Sequence, residues 1–470
     1  MRLAGLPGQP GGLYPDEAAE GVDAQRLLHE PGYHPLFFSS DAGREPLFAY
    51  MVAGVFRIFG ESVATLRGTA AVLGVAGVLA TFFALRRFGI TAALAGAAWA
   101  AGALWLICIS RDGMRNVLVP LVAALAMGAL ILWADRPTRG NAVLAGAAVS
   151  AGLWTYQPLK LMPLLALLWL WRIQRVDPSR FLALRRTAAP FGIALAAVAA
   201  PMAWVALTEP TLYFGRGAAV SPFNPQLGAS GLPAHILRTL GMFTFSGDPN
   251  ERHNVAGLPL LGWPLFTLAL LGGWRAWRQR RDQAHALVLI AVPVFLIPPL
   301  IALEGGAPHF LRTLGLAPFL AALVGLGGAE AVEQLARWRG GRRWALAGLA
   351  LLLAGLGAAS ADAYFSRGVA ARYHPYSFDI FALAQEARSL PGTALVVDDY
   401  AALDVRFLDS GALPRLVAPG ERLGNPHLYS RIVAPTRGDI AKAAGEDVAE
   451  RAVPAARDPA GNPVAWSARP

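Results

Sequence analysis

Cysteine is nearly absent from the 470-residue sequence, which contains only Cys108. An intramolecular disulfide and a cysteine-based metal cluster are therefore both excluded. Lysine is also rare, since Lys160 and Lys442 are the only two in a chain whose formal net charge is +10. Charged residues make up 15% of the sequence, whereas soluble domains average about 25%. The composition is therefore unlike that of a soluble domain or a disulfide-stabilised one.

Hydrophobic residues make up 55% of the chain, and the mean hydropathy is +0.43. A helix needs about 20 mainly apolar residues to cross the hydrocarbon core of a bilayer. About ten segments approach this requirement, which predicts a polytopic, all-α membrane protein. The predicted crossings are 63–85, 91–109, 114–134, 141–157, 159–173, 188–208, 258–273, 284–303, 310–328 and 344–361.

The arginines form clusters at alternate ends of these segments, which predicts the orientation. Five clusters, in 86–87, 136–139, 172–186, 275–281 and 337–343, fall on one side and are cytoplasmic by the positive-inside rule. This distribution explains the basic composition without a nucleic-acid partner. Residues 46–60 are apolar but contain Arg57, and a crossing there would invert all five clusters. We therefore predict a helix lying on the outer leaflet.

This orientation divides the chain into three predicted parts. Residues 1–62 form an external first loop with interfacial helices, and residues 63–361 form the transmembrane domain. Residues 362–470 contain more charge and fewer apolar runs, which predicts a small external α/β domain with a tail. Within it we predict a helix near 378–389, a strand over 393–397 and a loose end after Asp439.

Polar segments converge on the predicted external side, and each has a structural alternative. Asp16 and Glu17 suit the positive end of a helix dipole as well as acid–base chemistry. Arg111 and Asp112 could form an ion pair that seals a helical hairpin, although boundary charges tend to be functional. Lys160 could extend towards lipid phosphates. The loops carrying His253 and His309 have no metal-ligand spacing, so we predict no metal site.

The sequence combines Asp16-Glu17, the stretch FGESVATLRGTAAVLGVAGVLATFFALRRFG and a Ser-Arg-x-x-x-Arg loop at 110–115. This combination resembles the C-type (GT-C) glycosyltransferases, in particular the group of protein O-mannosyltransferases and the lipid A aminoarabinose transferase. The resemblance covers about residues 13–175 well. It extends more loosely to 361 through GDPNERHN and EGGAPHFLRTLGLAPF. A crossing that family members place before the acidic loop is missing here, which suggests a truncated start.

The resemblance implies transfer of a sugar from a polyprenyl-phosphate donor, with inversion, to an acceptor at the external face. Asp16 matches the catalytic aspartate of the first loop, and Glu17 is its neighbour. Glu45 and Pro46 match a Lys-Pro-Pro loop whose lysine is absent, so the resemblance implies that the phosphate contact comes from Arg44 or from elsewhere. Asp112 and Arg115 match the second external loop, and Lys160 falls where relatives often carry arginine.

The catalytic candidates are Asp16, Glu17 and Asp112, the donor-phosphate ligands are Arg44, Arg111, Arg115 and Lys160, and the further candidates are Glu45, Tyr156, His253, His309 and Arg312. We predict no cofactor, with a divalent metal as the open alternative. The acceptor could be a lipid, a glycan or a protein, and the transferred sugar a hexose or a pentose.

Two other functions remain open at this point. A transporter or flippase of lipid-linked sugars would need charges near helix centres and repeat symmetry, and the sequence shows neither. A membrane scaffold without activity would tolerate the loss of Asp16. We therefore predict a glycosyltransferase of the bacterial inner (plasma) membrane, with its site and C-terminal domain on the periplasmic side.

Overall fold

The computed structural model describes residues 1–6, 8–39, 43–224, 226–227, 231–255, 257–338, 340–373, 375–388, 392–408, 414–458 and 461–470. Most of these residues are helical, as the composition predicts. The helices are α1 Pro15–His29, α2 Leu47–Phe59, α3 Val63–Leu85, α4 Ile90–Gly102, α5 Leu104–Ile109, α6 Leu118–Asp135, α7 Arg139–Ala151, α8 Met162–Val176, α9 Pro178–Arg185, α10 Ala188–Thr208, α11 Pro210–Val220, α12 Leu232–Gly241, α13 Gly262–Arg278, α14 Gln283–Ile301, α15 Phe310–Thr313, α16 Ala317–Leu335, α17 Gly341–Asp362, α18 Val369–Tyr373, α19 Phe378–Arg388, α20 Ala402–Leu408, α21 Arg437–Ala444 and α22 Glu446–Glu450.

Six helical segments of the described chain are long and apolar enough to cross a membrane. They are Val63–Phe88, Arg115–Asp135, Ala188–Thr208, Gln283–Ile301, Phe310–Leu335 and Gly341–Arg367. The other four predicted crossings correspond to α4 with α5, α7, α8 and α13, whose main helices have 13 to 17 residues. Helices of that length rise about 20 to 26 Å, less than the roughly 30 Å hydrocarbon core. The six longer segments make the fold a polytopic helical bundle, as predicted.

The bundle is packed closely where glycines bring backbones together. Gly272 of α13 faces the carbonyl of Leu323, and Gly327 of α16 faces the carbonyl of Leu268, so a Cβ at either position would overlap the neighbouring backbone. Small residues serve helix association within membranes in this way, because apolar side chains gain nothing there by leaving lipid for protein. The α13–α16 contact is therefore specified by residue size.

One end of the bundle carries a cluster of ion pairs on the arginine-rich side. Arg87 follows α3 and binds Asp135, at the end of α6, with 2.7 Å between Nε and Oδ2. It also binds Asp282, the N-cap of α14, at 2.8 Å. These contacts place the arginine-rich end opposite the end where α6 begins and α14 stops.

The C-terminal region contains a small sheet whose strands are β1 Thr393–Val396, β2 Arg415–Val417, β3 Arg431–Ala434, β4 Val453–Arg457 and β5 Pro463–Ala468. The five strands described there lie in the order β2-β1-β3-β5-β4, with β1 parallel to β2 and β3. The predicted helix near 378–389 is confirmed as α19, with residue 389 outside the described residues. The predicted loose end after Asp439 is wrong, because β5 pairs antiparallel with β3 and so completes the sheet.

The C-terminal region also packs against the first helices of the chain. The ring of Phe407, in α20, stacks on Phe56 of α2 at 6.1 Å between centroids. It also lies directly over Gly21 of α1, where any Cβ would overlap it. These contacts place the C-terminal region beside the helix that carries Asp16.

Candidate active site

A cavity of about 460 Å³ lies at the end of the bundle where α6 begins and α14 stops. Basic side chains from five separate segments are among its described lining residues. They are Arg115, Lys160, Arg216, Arg252 and Arg312. Asp16 and Glu304 are the carboxylates among the same described residues. The cavity wall is therefore predominantly positive, which favours an anionic ligand.

Asp16 lies in the first turn of α1, which begins at Pro15. Proline suits this position, since it has no N–H to leave unpaired there. The hydroxyl of Tyr400 donates a hydrogen bond of 2.7 Å to Asp16 Oδ1. Tyr14, the residue before α1, carries the guanidinium of Arg252 over its ring at 3.6 Å. Asp16 therefore lines the cavity with one oxygen held from the C-terminal region.

Glu17 lies on the same turn of α1, but its side chain is fully buried against Arg67. Both of its oxygens accept hydrogen bonds from Arg67 of α3, at 2.6 and 2.8 Å. The backbone N–H of Gly113 donates a third bond to Glu17, at 2.8 Å. Arg67 also donates to the carbonyls of Pro10 and Gly12. These contacts give Glu17 a structural role in joining three segments, and it is not among the described residues that line the cavity.

Asp112, the third predicted acid, is also buried away from the described cavity wall. Its carboxyl accepts a hydrogen bond from the hydroxyl of Tyr376. Burial, with the nearby Glu17 charge, raises the pKa of Asp112 to about 7, against the opposing effects of Tyr376 and Arg67. The alternative of an Arg111–Asp112 ion pair is not what the described contacts show, because Arg111 binds backbone carbonyls instead.

The raised pKa of Asp112 predicts that the stability of the fold depends on pH. The native state holds this proton more tightly than the unfolded chain, whose aspartates titrate near 4. The stabilising contribution of the protonated carboxyl is therefore present at acidic pH and is lost as the pH rises to about 7 and above. We expect Asp112→Asn, which mimics the neutral form, to gain stability relative to the wild type between pH 5 and pH 8. Thermal unfolding of both proteins in detergent at the two pH values measures this, and equal pH slopes would contradict it.

Arg115 and Lys160 are held at the cavity wall by buried carboxylates. Glu20 of α1 binds Arg115 Nη1 at 2.8 Å, and Glu45 binds Arg115 Nε at 3.3 Å. Glu45 also lies 3.5 Å from Lys160 Nζ, whose ammonium is over the ring of Tyr213 at 3.9 Å. Ion pairs of this kind restrict both cations to one orientation. Glu45 therefore acts on the site through the two cations that it holds.

The two remaining predicted phosphate ligands, Arg44 and Arg111, are not among the described residues that line this cavity. Arg44 is buried in an ion pair with Asp23, and its guanidinium is 3.9 Å from Glu20. Arg111 is buried as well and donates to the carbonyls of Met1, Arg2 and Gln9. Both arginines thus fasten protein segments to one another. Their sequence positions in polar loops did not distinguish this role from ligand binding.

The other predicted residues meet at the cavity. Tyr156, His253, His309 and Arg312 all line it. His253 Nδ1 lies 3.0 Å from Asp248 Oδ2, and the two imidazole centroids are 5.0 Å apart. Burial lowers the pKa of both histidines, and for His309 the neighbouring His253 and Arg312 lower it further. Both rings are thereby favoured in the neutral form.

Sequence reasoning missed several residues of the site. Arg216, Arg252, Glu304 and Tyr14 line the cavity, and Tyr400 reaches it from the C-terminal region. Arg252 and Glu304 lie in segments that the sequence had already marked as polar. Arg216 lies within α11, and Tyr400 lies 384 residues from Asp16 along the chain. No local pattern could have indicated that contact.

Comparison with known proteins identifies the fold. No family model matches the chain, and no curated protein matches it by sequence. Among solved structures, ArnT from Cupriavidus metallidurans bound to undecaprenyl phosphate superposes with a TM-score of 0.59 at 14% identity, over 97% of this chain and 94% of that one. The archaeal oligosaccharyltransferase AglB from Archaeoglobus fulgidus, in complex with an inhibitory peptide and a dolichol-phosphate, gives a TM-score of 0.55 at 13% identity.

The AglB match covers 96% of this chain and 70% of that one. A second structure of the oligosaccharyltransferase of the same organism, tethered to an acceptor peptide, gives a TM-score of 0.54 at 13% identity, over 89% of this chain and 61% of that one. These likenesses extend over nearly the whole described molecule. The chain therefore has the GT-C fold, as the resemblance in its sequence predicted.

Proposed function

We propose that this protein is a membrane glycosyltransferase that moves a sugar from a polyprenyl-phosphate donor to an acceptor, with inversion at the anomeric carbon. The observation that carries the proposal is the position of Asp16 in a cavity with five basic side chains at one end of a membrane bundle. One carboxylate and several cations are the groups that such a transfer needs. The polyprenyl phosphates bound in structures of the same fold support this choice of donor.

The apolar part of the cavity supports a lipid donor. Leu161, Phe214, Val220, Ile297 and Ile301 line it together with the basic residues. Ile297 and Ile301 belong to α14, one of the helices long enough to cross the membrane. A phosphate bound by the cations would therefore have its prenyl chain directed along apolar helix ends. A soluble nucleotide sugar has no hydrocarbon chain to pack against this apolar surface.

The proposed chemistry uses Asp16 as general base. It accepts the proton of the acceptor hydroxyl while the oxygen forms a bond to the anomeric carbon, and the bond from that carbon to the phosphate oxygen breaks. The bonding electrons leave with the polyprenyl phosphate. Arg115 and Lys160 stabilise the developing negative charge on the phosphate. Base catalysis of this kind contributes about 10²–10⁴-fold.

The same geometry supports a site on the external face. The cavity lies at the end of α6 and α14 opposite the ion pairs of Arg87, and arginine-rich ends are cytoplasmic by the positive-inside rule. In this orientation the cavity and the C-terminal region face the periplasm of a bacterial inner membrane. The basic residues that line the cavity come mainly from loops and helix ends, which supports group transfer over transport.

The role of Lys160 gives a direct test of donor binding. We expect Lys160→Ala to weaken the binding of a short-chain polyprenyl phosphate by about 10- to 100-fold, because hydrogen bonds to charged groups are worth about 1.5–3 kcal/mol. Titration calorimetry in detergent measures the dissociation constant. Lys442→Ala is the matched control, since Lys442 is the other lysine of the chain and is exposed on α21. An unchanged dissociation constant for Lys160→Ala would remove Lys160 from the donor site.

A further inference from the structure

Three potential metal ligands meet at the wall of the cavity. They are Asp248 and His253, in the segment between α12 and α13, and His309, which precedes α15. One ligand atom of each residue lies within 4.8 Å of the others. Both histidines line the cavity, and Asp248 is buried behind them. The three residues come from two distant segments, so the fold alone brings them together.

The geometry of the pair formed by Asp248 and His253 fits a metal ligand set. Asp248 Oδ2 and His253 Nδ1 are 3.0 Å apart, while two ligand atoms of a tetrahedral zinc ion at about 2.0–2.1 Å are separated by about 3.3 Å. Asp248 is itself fixed, because Oδ1 accepts from Asn250 N–H at 2.8 Å and Oδ2 from Phe310 N–H at 2.7 Å. Such outer hydrogen bonds are typical of carboxylates that bind metals.

His309 gives a second indication of a metal ligand, and this one does not depend on the Asp248–His253 pair. Its Nδ1 is buried and has no hydrogen-bond partner within the described structure. An unsatisfied buried imidazole nitrogen costs free energy unless something binds it. The ring is confined from one side by Gly305, where a Cβ would lie 3.0 Å from His309 Cδ2. A neutral imidazole held in this way is a suitable zinc ligand.

We infer that Asp248, His253 and His309 form a binding site for a divalent transition metal of the zinc type, with its remaining coordination position open to the cavity. Two imidazoles and one carboxylate match three-ligand zinc sites that keep a fourth position for a solvent molecule or a substrate. Arg252 and Arg312 also line this wall, so an anionic oxygen is the ligand that this position favours. The inference goes beyond the proposed function, because metal binding is measured without any transfer reaction.

The test is the metal content and zinc affinity of the full-length protein, purified in detergent without a polyhistidine tag. We expect one zinc ion per chain, removed by a chelator and restored by ZnCl₂. His309→Gln should lower the affinity by at least about 100-fold, the upper end of the loss that even outer-shell changes cause. This variant breaks no hydrogen bond of His309 Nδ1, which favours correct folding. His427→Ala, at an exposed histidine of the C-terminal region, should bind zinc like the wild type.

A second readout separates ligation from folding. The visible absorption of the Co²⁺-loaded protein reports coordination by nitrogen and oxygen, and it should change in Asp248→Asn while the elution volume on gel filtration stays the same. Failure of the wild-type protein to bind zinc, or equal zinc binding by wild type and His309→Gln, would overturn the inference. In that case Asp248 and His253 form a hydrogen-bonded pair only, with His309 beside it.

Discussion

Asp16→Asn is expected to lower the turnover of sugar transfer by at least about 10²-fold, since asparagine keeps the shape of the side chain but removes the base. The reason lies in the position of this carboxylate. Asp16 lines the cavity together with Arg115 and Lys160, and Tyr400 orients it. Binding of the donor phosphate should persist, because the cations that face the cavity are unchanged.

The measurement is single-turnover transfer from a purified polyprenyl-phosphate sugar, with donor affinity determined separately. Asp447→Asn serves as the matched control, since Asp447 is an exposed aspartate on α22 in the C-terminal region. Near wild-type turnover in Asp16→Asn with an inactive Asp112→Asn would transfer the role of base to Asp112. Full activity in both variants would contradict the proposed function of these loops.

Glu17→Gln is expected to destabilise the fold by about 3–5 kcal/mol, the usual cost of leaving one partner of a buried ion pair without its counter-charge. Arg67 is 1% exposed and Glu17 is fully buried, so water cannot replace the lost carboxylate. Arg67 also binds the carbonyls of Pro10 and Gly12. The loss should therefore loosen the whole segment that precedes α1.

A double-mutant cycle isolates this effect. Replacing both residues, as Glu17→Gln with Arg67→Met, should recover much of the stability, because no uncompensated charge stays buried. Chemical unfolding in detergent measures each variant. A Glu17→Gln protein that is as stable as the wild type but inactive would instead assign Glu17 to catalysis. The adjacent acids Asp16 and Glu17 thus have separate and distinguishable predicted phenotypes.

The sequence determined the fold class and the segments in which polar residues gather. Apolar segments of about 20 residues have few alternatives to crossing a bilayer, since unpaired backbone groups are costly in lipid. Polar segments are scarce between these apolar segments, so the sequence offered few candidates for residues that line a cavity. Asp16, Arg115, Lys160, Tyr156, His253, His309 and Arg312 were all predicted from such segments and all line the cavity.

The tertiary structure decided which of these polar residues face the cavity and which bind other segments of the same chain. Asp16 and Glu17 are neighbours on α1, but consecutive helical side chains point about 100° apart, and one faces the cavity while the other faces Arg67. Arg111 and Arg115 occupy one loop, yet the first binds the carbonyls of residues 1, 2 and 9. The contact of Tyr400 with Asp16 joins positions 384 residues apart. Side-chain direction and long-range contact depend on how distant segments pack, and no short stretch of sequence contains that information.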